Sequence, residues 1–258
     1  MKYYVIADIH GRYDLLMKAE TAIAQDSEGT ESFETIFLGD YIDRGPDSKS
    51  IIEYLMNRGS NWTCLQGNHE AMLVQTIRKP LSPDWWLGNG GVQTYESYGG
   101  QLSLMRLDRY YGREYVGWDP HVIPPEHINW LESLPLYHET EKQIFVHAGV
   151  PFDGPLEEQA KVKNIHGEYD MQWMLYGRND GGGWNDKHVV HGHHQHADGP
   201  HTWSGRTNLD CWAYHTGRLV IGVFDDTQHK ALKFIEVRGD DYEKPAVEVE
   251  RTQQPEMA

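Results

Sequence analysis

Cysteine is scarce in this sequence. Its 258 residues include only two cysteines, Cys64 and Cys211, which form neither a disulfide framework nor the paired spacing of a zinc-binding motif. Long hydrophobic runs are absent as well. No run approaches the roughly 18 apolar residues of a membrane-spanning helix, and the first residues lack the apolar stretch of a signal peptide. We therefore expect a soluble, cytoplasmic protein with no membrane partner.

Basic residues are also in short supply. Lysine and arginine total 23 against 39 aspartates and glutamates, which gives a formal net charge of -16. So acidic a surface repels polyanions at long range, whereas general nucleic-acid binding needs a basic surface. We expect no nucleic-acid partner. A small phosphorylated ligand remains compatible with this charge, because bound divalent cations can reverse the local field.

The apolar pattern predicts alternating strands and helices in the first third of the chain. Strands are predicted over residues 3–7, 35–38 and 62–66, and helices over 12–25, 46–59 and 69–79. This alternation is typical of βαβ units around a largely parallel sheet. Further strands are predicted over residues 144–147, 188–190, 219–224 and 231–237.

The domain organisation is predicted to be simple. We expect one domain over residues 1–240 and a polar tail over 241–258. Residues 81–140 are rich in Trp, Tyr, Gly and Pro and show no clear strand period. We predict that they form a mainly helical insertion at the rim of the active site, whose candidate residues are described below. Its aromatic residues could line a substrate groove, although core packing is the more common role. These aromatic residues are Trp85, Trp86, Tyr95 and Tyr98.

Polar residues are concentrated where the predicted strands end. They lie in five segments, in the order ADIHG, GDYIDRG, GNHE, HAG and HGH. In parallel sheets, polar sites gather at the carboxyl ends of strands, so we expect these segments to meet. Turn and capping preferences of Asp and Asn could explain one such segment, but five in order are hard to explain that way.

The side chains of these segments have the chemistry of metal ligands. Asp, His and Asn supply the mixed oxygen and nitrogen ligands that suit Mn, Fe or Zn. Two metals about 3.5–4 Å apart can share one carboxylate. Asp40, at the end of a central predicted strand, is the best candidate for that bridge.

The five motifs, over residues 7–193, resemble those of the phosphoprotein phosphatase family of dinuclear metallophosphoesterases. The resemblance is strongest to the bacterial and phage serine/threonine protein phosphatase branch. It implies an α/β fold of the calcineurin-like metallophosphoesterase type, a β-sandwich of two mixed sheets flanked by helices. It also implies two divalent metal ions, with Mn as the first choice and Fe, Zn or Mg as alternatives.

The resemblance further implies roles for individual residues. The metal ligands would be Asp8, His10, Asp40, Asn68, His147 and His193. His69 would be the general acid, oriented by Asp43, and Arg44 would bind the phosphoryl oxygens. A second phosphate-binding residue would be Arg178, with Arg206 as its rival.

The implied activity is metal-dependent hydrolysis of a phosphomonoester by direct attack of a metal-bridging hydroxide. The expected substrate is phosphoserine or phosphothreonine on a protein, with phosphotyrosine in addition. A diadenosine tetraphosphate hydrolase is the alternative, and a catalytically inactive binding module is the third hypothesis. The partner would then be a phosphorylated protein or a small phosphoester, and the sequence gives no oligomeric state.

Histidine is abundant in one late stretch. Residues 188–201 contain six histidines, at positions 188, 191, 193, 194, 196 and 201. We expect one of them to bind metal and the others to lie on the surface or to support the ligand. A separate metal-binding tract is the alternative.

Overall fold

The computed structural model describes residues 1–30, 32–79, 82–108, 112–151, 154–164, 167–177 and 180–241. In chain order its strands are β1 (Lys2–Ile6), β2 (Phe33–Phe37), β3 (Trp62–Cys64), β4 (Ser103–Asp108), β5 (Gly112–Val116), β6 (Tyr137–Glu139), β7 (Gln143–Val146), β8 (His188–His191), β9 (His201–Thr202), β10 (Arg206–Asn208), β11 (Arg218–Asp225) and β12 (Gln228–Arg238). The α-helices are α1 (Tyr13–Asp26), α2 (Ser48–Met56), α3 (Asn68–Arg78), α4 (Asp84–Trp86), α5 (Val92–Ser97), α6 (Pro125–Ser133), α7 (Leu156–Gln159), α8 (Asp170–Trp173) and α9 (Ala213–Thr216).

Two five-stranded mixed sheets organise these elements. The first has the order β12-β11-β1-β2-β3, and the second has the order β6-β7-β8-β10-β9. In the first sheet β1, β2 and β3 are parallel, whereas β11 and β12 are antiparallel to their neighbours. In the second sheet β7, β8 and β10 are parallel. Each sheet therefore has parallel central strands whose carboxyl ends point to the same edge.

Alternating side chains of β1 divide the core into layers. Tyr3 and Val5 join a cluster between the two sheets, where they pack with Phe145 of β7 and Val190 of β8. Tyr4 lies on the opposite face of β1, in the cluster that packs the first sheet against helices α1, α2 and α3. A third cluster lies on the outer face of the second sheet, against α7 and α8. The period of two along each strand thus builds a sandwich flanked by helices, and the predicted fold class is confirmed.

The early strands and helices lie within one or two residues of the predicted ones at most ends, and α2 is shorter than predicted. The short strands β6, β9 and β10 were missed, because two or three residues carry too little pattern to be recognised.

The stretch over 82–140 contains α4, α5, α6, a π-helical turn over Leu87–Gly91 and a 3-10 turn over Pro120–Val122. It also contains the hairpin β4–β5, which our mainly helical prediction did not include. The spacing of Leu104, Met105 and Leu107 fits a helix as well as a strand, and pairing with β5 decides between them.

Two further points concern the predicted tail and the predicted absence of a membrane-spanning helix. Apart from residue 241, the predicted tail over 241–258 lies outside the described residues, and the boundary of a single domain at 240 stays a prediction. Among the described helices, none combines the length and the apolar character that crossing a bilayer requires.

Candidate metal centre and active site

The ends of the parallel strands bring the predicted metal ligands together. Each of these residues follows a strand or begins the helix after it, and each is buried or nearly so. They are Asp8 and His10 after β1, Asp40 after β2, Asn68 at the start of α3, His147 after β7 and His193 after β8. The two sheets thus contribute to one site from neighbouring edges. The assignment of each residue as a ligand remains a prediction.

Asp40 lies at the centre of this group. Its Oδ2 is 3.4 Å from His10 Nε2, and its Oδ1 is 3.4 Å from His147 Nε2. Asp40 belongs to two sets whose possible ligand atoms all lie within 4.8 Å of one another, one with His10 and His69 and one with His147 and His193. A carboxylate that faces one set with each oxygen has the geometry expected of a bridge between two cations.

Asn68 and Asp8 complete the group. Asn68 Oδ1 is 2.8 Å from His147 Nε2 and 3.0 Å from His193 Nδ1. Both carboxylate oxygens of Asp8 accept the backbone N–H of His193 at 3.0 Å. A side chain at Gly192 would overlap Asp8, so glycine is required where β8 passes the end of β1.

The hydrogen bonds of His147 test whether this group suits a cation. Its Nδ1 lies 2.9 Å from the carbonyl oxygen of Leu38, which can only accept, so Nδ1 carries the proton. Burial lowers the pKa of His147, which favours a neutral ring with a lone pair on Nε2. That lone pair faces Asn68 Oδ1 and Asp40 Oδ1, which are acceptors too. Acceptors that converge without a proton between them repel one another, and a bound cation would remove that repulsion.

An excess of buried negative charge leads to the same conclusion. Burial raises the pKa of Asp8 well above its usual value, and the charges of Asp210 and Asp40 raise it further. Burial also raises the pKa of Asp210 to about 7, with the charge of Asp40 as a further cause. Burial opposes the ionisation of Asp40, but the histidines around it outweigh that effect and lower its pKa. The negative charge of Asp40 in turn opposes the ionisation of Asp8 and Asp210, as expected where a divalent cation belongs.

The backbone of the site is strained. Left-handed φ values, costly for residues other than glycine, occur at Asp8 (47°), His10 (44°), Asp40 (54°), Asp43 (71°), Arg44 (70°) and His193 (65°). Such residues cost about 1–3 kcal/mol each and persist only where surrounding contacts enforce them. Six of them in the predicted site show that the fold aims these side chains at the expense of local stability.

His69 and Asp43 form a buried pair beside the metal ligands. His69 Nδ1 is 2.6 Å from Asp43 Oδ2, which leaves Nε2 facing the centre at 3.9 Å from Asp40 Oδ2. Burial lowers the pKa of His69, but the charge of Asp40 and the hydrogen bond to Asp43 outweigh it and raise the pKa above the ordinary histidine value. This upward direction is the one that a histidine acting as a general acid near neutral pH requires.

Asp43 is itself held by a dense set of hydrogen bonds. Trp86 Nε1 donates to both carboxylate oxygens at 3.0 and 3.1 Å, and the hydroxyl of Thr94 donates to Oδ1 at 2.7 Å. Trp86 and Thr94 come from α4 and α5 of the 82–140 stretch. This stretch therefore positions the acid pair. Trp86 and Tyr95 are also buried in the core, which is the more common role that we weighed for these aromatics.

Arg44 lies at the rim of the group of predicted metal ligands. Its Nη1 is 2.9 Å from His10 Nε2, and its guanidinium lies 5.0 Å from the ring centre of Tyr214. Its backbone N–H donates to the carbonyl oxygen of Gly90 at 3.0 Å, and Gly90 adopts a φ of 111° within the π-helical turn. The guanidinium is thus placed next to the predicted ligands and only partly buried, as a phosphate-binding group would be.

The second predicted arginine cannot be placed, because Arg178 lies outside the described residues. Its rival Arg206 is almost fully buried. The guanidinium of Arg206 lies 3.4 Å from the ring centre of Trp203, donates to the carbonyl oxygen of Asp180 and contacts His191 Nε2 at 3.1 Å. Arg206 is therefore committed to packing inside the second sheet.

Sequence reasoning missed the part played by Glu70. This fully buried carboxylate accepts backbone N–H bonds from Asp40 and Gly67 at Oε2 and from Tyr41 at Oε1, at 2.8–2.9 Å. It therefore ties the start of α3 to the loop after β2, where Asp40 lies. The signal was present in GNHE, because a glutamate three residues after a helix cap is the spacing of a capping box.

Asp210 was also passed over as a site residue. Its Oδ1 accepts the backbone N–H of Trp212 at 2.8 Å, but within the described residues its buried Oδ2 has no hydrogen-bond partner. An unpaired buried carboxylate oxygen beside Asp8 and Asp40 indicates a further polar group that belongs to the centre.

The histidine-rich stretch divides by position. His188 is buried and contacts the hydroxyl of Thr207 at 2.8 Å, and His191 is buried against Arg206. His193 reaches the centre. The remaining three, His194, His196 and His201, are partly buried and lie in a row from the loop after β8 to the start of β9.

Two curated proteins with similar sequences are named as a dinucleoside tetraphosphatase and an endopolyphosphatase. The chain is 36% identical over 153 residues to a symmetrical bis(5'-nucleosyl)-tetraphosphatase of Salmonella paratyphi B, which is 58% of this chain and 44% of that protein. It is 31% identical over 86 residues to a zinc-dependent endopolyphosphatase of Saccharomyces cerevisiae, which is 33% of this chain and 25% of that protein. The chain thus spans between a quarter and less than half of the length of these relatives.

Solved structures share the fold at lower identity. A protein provisionally assigned as a diadenosine tetraphosphatase gives a TM-score of 0.58 at 20% identity, covering 93% of this chain and 94% of its own. A protein serine/threonine phosphatase from Saccharomyces cerevisiae gives a TM-score of 0.51 at 13% identity, covering 95% and 81%. The family model of the calcineurin-like phosphoesterases matches residues 1–222. The chain belongs to the calcineurin-like phosphoesterase family.

Proposed function

We propose that this phosphoesterase hydrolyses a dinucleoside polyphosphate such as diadenosine tetraphosphate, with two divalent metal ions as cofactors. The observation that carries the proposal is the position of Asp40, shared between two sets of histidines, with the His69–Asp43 pair and Arg44 beside them. With two divalent cations bound, a site that also holds Arg44 and an acid pair would attract a phosphate chain with several negative charges.

The six predicted ligands would hold the two ions, with Asp40 common to both. When bound, the ions supply a water nucleophile at neutral pH and neutralise charge on the phosphoryl group. The ligand set of histidine nitrogen and carboxylate or amide oxygen suits Mn, Fe or Zn, and we propose Mn as the first choice. The zinc named in the endopolyphosphatase belongs to that relative and keeps Zn as an alternative.

His69 would donate the proton that the leaving oxygen needs. Because Asp43 accepts the Nδ1 proton, the Nε2 proton faces the centre, where the leaving group would lie. After the transfer, the bond to Asp43 keeps the neutral ring in the same orientation. Arg44 would bind the equatorial phosphoryl oxygens through its planar pair of N–H groups.

A row of aromatic rings favours the dinucleotide over the phosphoprotein that the motifs first suggested. The ring of Trp173 lies 6.1 Å from that of His193, and the ring of Trp85 stacks on Trp173 at 5.9 Å with 22° between the planes. Trp85 is 48% exposed. An exposed indole leading away from the centre offers a stacking surface for a nucleobase attached to a phosphate chain.

The test compares two substrates in one variant. Stacking of a base on an aromatic ring is worth about 1–3 kcal/mol, so Trp85→Ala should lower kcat/KM for diadenosine tetraphosphate by about 5- to 150-fold. Hydrolysis of para-nitrophenyl phosphate, which has no base, should be unchanged. The matched control is Phe234→Ala, which removes an aromatic side chain of similar exposure on β12. Equal losses on both substrates, or no loss on either, would refute the stacking role.

The second candidate remains a protein phosphatase of the bacterial and phage type. The ordered set of five motifs, which resembles that branch, is the observation that favours it. A phosphoserine peptide hydrolysed with a higher kcat/KM than diadenosine tetraphosphate by the Mn-loaded protein would select this candidate and reject the first.

A further inference from the structure

A second group of possible metal ligands lies outside the centre. The loop that begins with His193 continues to β9, and His194, His196 and His201 lie along it with ring centres 5.1 and 4.8 Å apart. His196, Asp198 and His201 can each offer one ligand atom, and these atoms lie within 4.8 Å of one another. None of the three is among the predicted ligands of the centre.

The spacing of this group is close to what a metal ion requires. His201 Nε2 is 3.1 Å from Asp198 Oδ1. In a tetrahedral zinc site with ligand bonds near 2.0–2.1 Å, neighbouring ligand atoms are about 3.3 Å apart. Asp198 is exposed and both histidines are partly buried, so small side-chain rotations would close the group around an ion and leave a position for water.

The backbone that carries these side chains is held in place. Arg218 donates to the carbonyl oxygens of Ala197 and Gly199 at 2.6 and 2.9 Å. The backbone N–H of His196 donates to the carbonyl oxygen of Asp210 at 3.1 Å. A loop fixed from two sides presents its ligands at little cost in conformational entropy.

The simpler interpretation is a surface ion pair between His201 and Asp198. It leaves His196 unexplained, because within the described residues no hydrogen bond is made by its ring nitrogens, although the ring packs edge-on against His201. Two imidazoles and a carboxylate are a set that transition metals prefer, whereas Mg and Ca favour oxygen ligands alone.

We propose that His196, Asp198 and His201 bind a transition-metal ion, Zn²⁺ in the first place, at a third site separate from the dinuclear centre. The proposal does not depend on which phosphate ester the protein hydrolyses. An ion at this position would link the loop that carries His193 to β9, the edge strand of the second sheet.

The test counts zinc instead of turnover. The protein comprising residues 1–258 is dialysed against buffered Zn²⁺, and the zinc bound per chain is measured by mass spectrometry for the wild type and for the double variant His196→Ala/His201→Ala. We expect the double variant to bind one zinc less per chain. The single variant Asp198→Asn should bind the zinc ion of this third site more weakly than the wild type does.

The matched control removes two other exposed histidines, His121→Ala/His229→Ala, and should bind as much zinc as the wild type. Equal zinc content in the wild type and the His196/His201 variant would overturn the proposal. A loss of all bound zinc in that variant would also overturn it, because these side chains would then support the centre instead of forming a site of their own.

Discussion

Glu70 offers a sharp test of how the fold holds Asp40 in place. Both of its carboxylate oxygens accept backbone N–H groups. Oε2 accepts those of Asp40 and Gly67, and Oε1 accepts that of Tyr41 at 2.8 Å and that of Ile42 at the longer distance of 3.4 Å. Burial and the charge of Asp40 raise the pKa of Glu70 to about 8, and the N–H groups act in the opposite direction. A pKa near 8 would leave Glu70 mostly protonated at neutral pH, but a proton on either oxygen would have to displace a backbone N–H that this oxygen accepts. We give the hydrogen bonds the greater weight and conclude that Glu70 is ionised.

The variant Glu70→Gln tests that conclusion. Glutamine has the same length, but one of its terminal atoms becomes an amide nitrogen that cannot accept a hydrogen bond. The two N–H donors on that side lose their acceptor in a buried place, at about 1–3 kcal/mol each, so the free energy of unfolding should fall by about 2–6 kcal/mol. That is a large share of the about 5–15 kcal/mol of a typical domain.

The assay is urea unfolding of the chelator-treated protein, so that metal binding to the folded state does not contribute. The exposed Glu157 provides the matched control, and Glu157→Gln should change the free energy of unfolding by no more than about 0.5 kcal/mol. A loss in Glu70→Gln as small as in the control would mean that Glu70 is protonated, since glutamine is a close replacement for a neutral carboxylic acid. The reasoning from its hydrogen bonds would then be wrong.

Two further variants test the acid pair. His69→Asn should retain both metal ions, because His69 is not a predicted ligand, and should lose about 100-fold or more in kcat, the usual contribution of a general acid; a loss of Mn binding in this variant would instead make His69 a ligand. Trp86→Phe removes the N–H donated to Asp43 and should cost about 1.5–3 kcal/mol in unfolding free energy. Its kcat should fall while KM changes little, and an unchanged kcat would show that Asp43 does not need Trp86 to orient His69.

Much of the candidate site could be predicted because its residues follow parallel strands. A short apolar run marks each strand, and in a parallel sheet the polar residues after such runs share one edge. Asp8, Asp40 and His147 are therefore brought together by topology that the pattern alone indicates. The same logic placed His10 and Asn68 beside them.

The supporting residues could not be predicted in this way. Trp86 and Thr94 reach Asp43 from a stretch without a clear period, and nothing local signals that an indole N–H will meet a carboxylate 43 residues earlier in the chain. The unpaired oxygen of Asp210 is a property of packing, since it depends on what lies around it in the folded protein. The hairpin β4–β5 was missed because strand pairing overrides a local pattern that is ambiguous.

The shared position of Asp40 is the central claim, and one measurement tests it most directly. Chelator-treated protein is assayed for hydrolysis of diadenosine tetraphosphate with and without Mn²⁺, beside Asp40→Asn. We expect turnover by the wild type only when Mn²⁺ is added, and no Mn-dependent turnover by the variant. Turnover that survives removal of all metal, or an Asp40→Asn variant with wild-type activity in Mn²⁺, would contradict the account.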